Sequence, residues 1–140
     1  MTPQISRPSA ADGILFHPAT RPGSPFSRAV EVGGILYLSG QIGNAPDGHL
    51  PAGLARQTRN TMENIAAVLA SLGTDMTAVF KCTIMLADMN RWREFNAVYL
   101  DYFDPARLPA RSAFGTSGLV AGALMEIECC AFAPTRAGLG

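Results

Sequence analysis

Residues 54–72 constrain the fold of this chain more than any other part of its sequence. Along this stretch, apolar and small residues recur at helical spacing on one face: Leu54, Thr58, Thr61, Met62, Ile65, Val68, Leu69 and Leu72. Polar residues such as Arg56, Asn60 and Glu63 fall on the other faces, and Gly73 is suited to end a helix. The pattern predicts an amphipathic helix with one apolar face to bury.

Segments with β-strand character surround this helix and predict the surface that it covers. Two of them flank the Gly33-Gly34 pair, which predicts a β-hairpin. A second helix is predicted at 90–103, with Asn90 as its N-cap and an apolar stripe that includes Trp92 and Tyr99. The predicted strands are residues 14–17, 26–31, 35–40, 78–87, 110–114 and 123–133.

The order of these elements predicts the fold class. Each helix has a single apolar face and the strands outnumber the helices, so we expect an α+β fold: a single mixed β-sheet with two helices packed on one face. A length of 140 residues with 48% hydrophobic residues fits one domain over residues 1–140. Within it we expect an irregular N-terminal arm at 1–22, broken by the short first strand, and a tail at 134–140.

The charged and reactive residues limit the chemistry that this chain can perform. Eleven basic and eleven acidic residues give a net charge of zero, so the positive field typical of nucleic-acid binding is missing and no nucleic-acid partner is expected. Lys81 is the only lysine, and the three cysteines lack the spacing of a metal or redox motif. No apolar run reaches membrane length. These features predict a cytoplasmic protein without a membrane partner or a metal site.

Two carboxylates lie on one face of the last predicted strand. Glu126 and Glu128 alternate with apolar residues, which places them about 7 Å apart on the face opposite the core. One interpretation is a solvated sheet face that carries two charges. However, Leu124 and Phe132 fall on the same face, which favours a face covered by another subunit. A covered carboxylate needs a cation or a hydrogen-bond donor.

Arg111 is a candidate for that cation, because it stands in the otherwise small and apolar segment 108–114. Antiparallel pairing with the last strand could bring it toward Glu126 or Glu128. It would then form either a structural salt bridge or a fork that binds a substrate carboxylate.

Three further positions depart from a simple packing pattern. Asn96 lies on the apolar stripe of the second helix, where it is either a buried link to backbone or a ligand contact. Ser39 and Gly40 end a predicted strand. A glycine there allows close approach of the backbone to a ligand, or it simply starts the following turn.

These residues together resemble a known family. Pro109-Ala110-Arg111-Ser112, followed by Met125-Glu126-Ile127-Glu128, resembles the C-terminal signature of the RidA (YjgF-type) family of imine/enamine deaminases, also named L-PSP endoribonucleases. Residues 38–42 resemble the early strand of that family and residues 95–103 its second helix. The resemblance extends over about residues 23–133.

The resemblance implies a chorismate-mutase-like fold assembled as a homotrimer, with a central barrel and ligand clefts between subunits. It implies that Arg111 binds the substrate carboxylate and that Glu126 orients or activates the attacking water, with Asn96, Ser39 and Gly40 at the cleft. The implied reaction hydrolyses small 2-imino or enamino acids to 2-keto acids and ammonia. A C=N carbon is already electrophilic, so this reaction needs no cofactor.

Two expected substrate-binding positions depart from the usual family pattern. Ala113 stands where many members have cysteine, and Phe26 where tyrosine is common. Three alternatives to the general deaminase stay open: a deaminase specialised for an aminoacrylate or aminomuconate, a non-catalytic trimer that binds 2-keto acids, and a ribonuclease. Neutral charge and the expected absence of an exposed histidine pair weigh against the ribonuclease.

Overall fold

The computed structural model describes residues 13–134, and their elements confirm the predicted α+β class with one mixed sheet and two helices. The helices and strands are β1 (Ile14–Pro18), β2 (Ser27–Val32), β3 (Ile35–Leu38), α1 (Leu54–Ser71), β4 (Val79–Leu86), α2 (Trp92–Tyr99), β5 (Ala110–Gly115) and β6 (Met125–Phe132). Strand β1 lies in the part of the predicted N-terminal arm that the structure describes. Residues 1–12 and 135–140, which hold the rest of that arm and most of the tail, lie outside the described residues.

The strands form one six-stranded sheet in the order β1-β2-β3-β6-β4-β5. All neighbouring pairs are antiparallel except β4 and β5, which are parallel. The predicted hairpin is confirmed: β2 and β3 are joined through Gly33 and Gly34, whose φ angles of 59° and 79° suit a two-residue hairpin turn.

The predicted pairing of the Arg111 strand with the last strand is wrong. Strand β5 pairs with β4, and β4 lies between β5 and β6. The physical reason is the connection through α2, which carries the chain back across the sheet so that β5 runs parallel to β4. Arg111 is therefore opposite Cys82 in the ladder, and Cys82 is in turn opposite Cys129.

Both helices pack on one face of the sheet and form the core with it. Helix α1 contributes Leu54, Met62, Ile65 and Leu69, and α2 contributes Phe95 and Tyr99. Two threonines on the buried face of α1 satisfy their hydroxyls locally, because Thr58 and Thr61 donate to backbone oxygens four residues earlier at 2.7 and 2.8 Å. None of the helices within residues 13–134 is long and apolar enough to cross a membrane.

The first helix agrees with its predicted span, whereas the second is shorter than predicted. Helix α2 is flanked by 3₁₀ turns at Met89–Arg91 and Leu100–Tyr102. Asn90 does not cap α2: Asp88 caps the 3₁₀ turn before it, since its carboxylate accepts a hydrogen bond from the backbone N–H of Asn90 at 3.0 Å, and Arg91 precedes α2 without a side-chain cap. Pro105 follows the second turn and disfavours helical backbone at the residue before it.

The two faces of β6 alternate as predicted. Met125, Ile127, Cys129 and Ala131 are buried under the helices. The opposite side of the sheet, called the open face below, carries Glu126, Glu128 and the aromatic residues Tyr37, Phe114 and Phe132, whose exposed fractions are 49%, 48% and 59%.

Candidate functional site

The Arg111 guanidinium is held in place on the helix-covered face of the sheet. Its register opposite the buried Cys82 directs the side chain toward α2. There Nη1 donates to Oδ1 of Asn96 at 2.6 Å, and Cζ lies 5.0 Å from the ring centroid of Tyr99. Arg111 is half-buried, and no carboxylate within the described range 13–134 forms an ion pair with it. A fixed guanidinium with donors to spare is an anion receptor.

Asn96 and Tyr99 hold Arg111 from the same face of α2, three residues apart. The Asn96 side chain thus links to the Arg111 side chain rather than to backbone. The sequence placed Tyr99 only in the apolar stripe; its spacing from Asn96 was the signal that could have assigned it this contact. The Tyr99 side chain is buried, and burial raises the pKa of its hydroxyl far above the usual range, so the ring stays neutral.

Ala113 lies two residues beyond Arg111 on the same face, opposite Ile84 in the ladder. It is half-buried and packs against the core. Its methyl group gives an apolar wall about 7 Å along the strand from Arg111 and offers no side-chain hydrogen bond.

Glu126 lies on the open face, away from Arg111. It is half-buried, and burial raises the pKa of its carboxyl, to which the negative charge of Glu128 adds. Residues 13–134 provide Glu126 with no ion pair and no hydrogen bond. A carboxyl group that has a raised pKa and oxygens free of hydrogen-bond partners can accept a proton from water and return it.

Gly40 packs directly against the Glu126 carboxylate. A Cβ at position 40 would lie 2.1 Å from Oε2 of Glu126, so only glycine leaves room for the carboxylate as it stands. Gln41 holds the backbone of Gly40 next to β6, because the Gln41 backbone exchanges hydrogen bonds of 2.8 and 3.0 Å with Ile127 on that strand. Glycine at position 40 was predicted to let a ligand approach the backbone closely. In this chain the group that approaches the Gly40 backbone is the Glu126 carboxylate.

Ser39 and Phe26 lie at the same end of the sheet as Gly40. The Ser39 hydroxyl donates to the backbone oxygen of Ser27 at 2.5 Å, which leaves its lone pairs as acceptors. Phe26 precedes Ser27, is 56% exposed, and lines a cavity of about 690 Å³ between residues 19–28, residues 41–48 and α1.

The predicted site residues therefore form two groups in one chain. The Arg111 group contains Arg111, Asn96 and Ala113, joined by Tyr99, on the helix-covered face. The Glu126 group contains Glu126 and Gly40 on the open face, with Ser39 next to Gly40 in the chain. Phe26 belongs to neither group, because it lines the cavity that α1 borders. The sheet separates the two groups. Clusters of His, Cys, Asp and Glu able to hold a metal ion are absent from the part of the chain that the structure describes.

Comparison with known proteins agrees with this fold. The family described as Endoribonuclease L-PSP matches residues 17–133. The chain belongs to this family, which also carries the names RidA and YjgF.

Individual relatives cover most of the chain. The mouse protein named 2-iminobutanoate/2-iminopropanoate deaminase is 38% identical over 109 residues, covering 76% of this chain and 80% of the relative. A Yersinia pestis protein of the Rid family has a structure with a TM-score of 0.76 at 41% identity, covering 83% of this chain and 92% of that one. The structure of E. coli TdcF with bound serine has a TM-score of 0.74 at 29% identity, covering 84% and 94%.

Proposed function

We propose that this protein is an imine/enamine deaminase that hydrolyses small 2-imino acids to 2-keto acids and ammonia. The observation that carries the proposal is Arg111, a half-buried guanidinium that Asn96 and Tyr99 hold without a carboxylate partner in residues 13–134. Two relatives support this substrate class. One is named for its action on 2-imino acids, and the structure of the other holds serine, a small amino acid with a free carboxylate.

In the proposed complex, Arg111 binds the substrate carboxylate. Asn96 accepts from Nη1, and the remaining N–H groups can form the paired hydrogen bonds that a carboxylate accepts from a guanidinium. The Tyr99 ring limits rotation of the guanidinium, which reduces the entropy lost on binding. The methyl group of Ala113 then faces the side chain of a small substrate.

Glu126 carries out the proton transfers in this proposal. Its carboxylate accepts a proton from a water molecule as the water oxygen bonds to the C=N carbon of the protonated imine. The carboxylic acid then returns the proton to nitrogen in the tetrahedral intermediate. The C–N bond breaks, ammonia leaves, and the hydroxyl proton passes to solvent to give the 2-keto acid. The raised pKa of Glu126 suits the first step, because a carboxylate whose pKa is raised by burial is a stronger base toward water than a free one.

The reaction needs two copies of the chain, because the sheet separates Arg111 from Glu126. We propose a homotrimer in which β5, an edge strand of the sheet, lies against the open face of a neighbouring copy, so that Arg111 of one copy meets Glu126 of the other. Tyr37, Phe114 and Phe132 support this choice of surface, since three large exposed aromatic residues on one face are typical of an interface.

The kinetic test uses 2-iminobutanoate generated in situ from threonine by a dehydratase, with release of 2-ketobutanoate and ammonia as the readout. We expect Arg111→Ala to lower kcat/KM by about 10- to 100-fold, the effect of losing a charge-assisted hydrogen-bond pair. Arg107→Ala is the matched control, because Arg107 is an exposed arginine just before β5. If the native protein hydrolyses the imine no faster than buffer, the deaminase proposal is wrong. Calorimetric binding of 2-ketobutanoate would then favour a binding protein.

The Glu126→Gln variant tests the second role. We expect kcat to fall by more than about tenfold while the oligomeric state in gel filtration stays the same. Unchanged kinetics would assign Glu126 a structural role.

The shared site is tested by mixing the two inactive variants. If subunits of Arg111→Ala and Glu126→Gln reassemble at random in a trimer, about a quarter of the sites combine an intact Arg111 with an intact Glu126. Activity should therefore return in the mixture and in neither variant alone. A mixture that exchanges subunits, as mass spectrometry would show, but stays inactive would refute a site built from two copies.

A further inference from the structure

Two buried thiols lie directly opposite each other in the centre of the sheet. Cys82 on β4 and Cys129 on β6 are partners in the antiparallel ladder, and their Sγ atoms are 3.4 Å apart. Both are free cysteines, with exposed fractions of 0% and 3%. We propose that they form a redox-active dithiol site, which hydrogen peroxide or another small hydroperoxide converts into a cross-strand disulfide.

The backbone already has the geometry that this disulfide needs. Opposite residues in an antiparallel pair have Cα atoms about 4.5–5.5 Å apart, within the range of about 4.4–6.8 Å found across disulfides. The Sγ atoms need to approach by about 1.4 Å to reach bonding distance, which side-chain rotation can provide.

The third cysteine is excluded from this pair by the alternation of the strand. Cys130 follows Cys129, so its side chain lies on the open face, where it is opposite Lys81. It is half-buried there and has no cysteine partner among the described residues of its own chain.

The two thiols differ in acidity, which orders the reaction. The hydrogen bond with Cys129 lowers the pKa of Cys82 and outweighs its burial, and the nearby charge of Arg111 acts in the same direction. The pKa of Cys129 is raised by the same hydrogen bond and by burial. Cys82 is therefore the first thiol to react as a thiolate.

The oxidation balances with one peroxide. The Cys82 thiolate attacks a peroxide oxygen, the O–O bond breaks, and the departing hydroxide takes up the proton that Cys82 released, which leaves a sulfenic acid and one water. Cys129 then attacks the Cys82 sulfur as its own proton passes to the leaving hydroxyl. The S–S bond forms, the S–O bond breaks, and the second water leaves. Two thiols lose two electrons in total, and the peroxide gains them.

In this proposal, peroxide reaches the two thiols by passing beside the Arg111 group. Arg111 lies beside Cys82 in the ladder and on the same face, and it is half-buried whereas Cys82 is not exposed at all. The Tyr99 hydroxyl near Cys82 is buried and has no hydrogen-bond partner of standard geometry within residues 13–134. A carboxylate bound at Arg111 would cover this route; such binding rests on the proposed function, whereas formation of the disulfide does not.

The test treats the reduced protein with hydrogen peroxide and maps its tryptic peptides without reduction. Cleavage after Lys81 and Arg91 isolates Cys82, whereas Cys129 and Cys130 share one peptide, so the map is made on both the native protein and Cys130→Ser. We expect the cross-link between Cys82 and Cys129 in both proteins, and in Cys129→Ala a Cys82 sulfenic acid that dimedone traps. Oxidation confined to Cys130, or free thiols at Cys82 and Cys129 after treatment, would overturn the dithiol site.

A second measurement separates this site from the proposed function. Addition of 2-ketobutanoate should slow the cross-linking several-fold in the native protein but not in Arg111→Ala. Equal rates with and without the 2-keto acid would refute the route past Arg111. Because the cross-link itself needs no turnover, a protein inactive as a deaminase that still forms it would refute only the proposed function.

Discussion

Replacing Gly40 with alanine should displace the Glu126 carboxylate while leaving the fold intact. The new Cβ would lie 2.1 Å from Oε2 and 3.0 Å from Cδ of Glu126. A carbon atom and a non-bonded heavy atom pack at about 3.5 Å, so Oε2 of Glu126 has to move by more than about 1 Å away from the new Cβ. Gly40 is not one of the glycines with positive φ, and Glu126 is a half-buried side chain that can rotate. The carboxylate therefore moves rather than the backbone.

The size of the kinetic effect follows from that displacement. A reacting group misplaced by about 1 Å can cost about 100-fold in rate. We expect kcat to fall by about 10- to 100-fold and KM to change by less than about threefold, since Arg111 on the other face keeps its contacts. The free energy of unfolding should change by less than about 1 kcal/mol.

The assay compares kcat and KM for 2-iminobutanoate hydrolysis, together with urea denaturation, in Gly40→Ala and Gly118→Ala. Gly118 is the matched control, because a Cβ there meets no atom within 4 Å. If Gly40 acts through Glu126, the double variant Gly40→Ala/Glu126→Gln should be no slower than Glu126→Gln alone. A native kcat in Gly40→Ala, or fully additive losses in the double variant, would refute this reasoning.

Three further predictions follow from single contacts. Asn96→Ala should raise KM by about tenfold with little change in kcat, because Arg111 loses a charge-assisted hydrogen bond that orients it; an equal fall in kcat would contradict this role. Glu128→Gln removes a negative charge that raises the pKa of Glu126, so the acidic limb of the kcat–pH profile should move to lower pH, and a limb that stays in place would contradict the coupling. Ile127→Ala should lower the free energy of unfolding in urea by about 2–5 kcal/mol, because Ile127 is fully buried between the helices and the sheet; a loss below about 1 kcal/mol would contradict its place in the core.

Local periodicity predicted the elements because it depends on one segment at a time. The helical spacing over 54–72 corresponds to α1, and alternation in 123–133 identified the buried face of β6. The Gly33-Gly34 hairpin was predictable because glycine readily adopts the positive φ that a two-residue hairpin turn requires. The cap predicted at Asn90 was misassigned because Asp88 and Asn90 are both good capping residues, and the chain enters α2 through a 3₁₀ turn that Asp88 caps.

Strand neighbours could not be predicted in the same way, because pairing joins segments far apart in the chain. The sequence shows which residues of one strand share a face. It does not show which of those residues lie on the same face of the sheet as a given residue of another strand. Arg111 and Glu126 were each identified as polar residues in apolar strands. Their opposite faces depend on the parallel register of β5 on β4 and the antiparallel register of β4 on β6. The contacts of Tyr99 with Arg111 and of Cys82 with Cys129 depend on the same pairings.

The pKa of Glu126 connects the proposed assembly to the proposed chemistry. Burial already raises this pKa in one chain, and covering the open face with a second copy without a cation would raise it further. A carboxyl whose pKa rises on association stabilises the assembly at low pH and loses that contribution as pH rises through the raised pKa. A neighbour's Arg111 would have the opposite effect, because a guanidinium favours the charged carboxylate and lowers its pKa. A trimer that keeps its stability as Glu126 ionises therefore requires a cation or a hydrogen-bond donor at that position, and Arg111 is the proposed cation. The arginine that we propose to bind the substrate carboxylate would then also keep Glu126 ionised between turnovers.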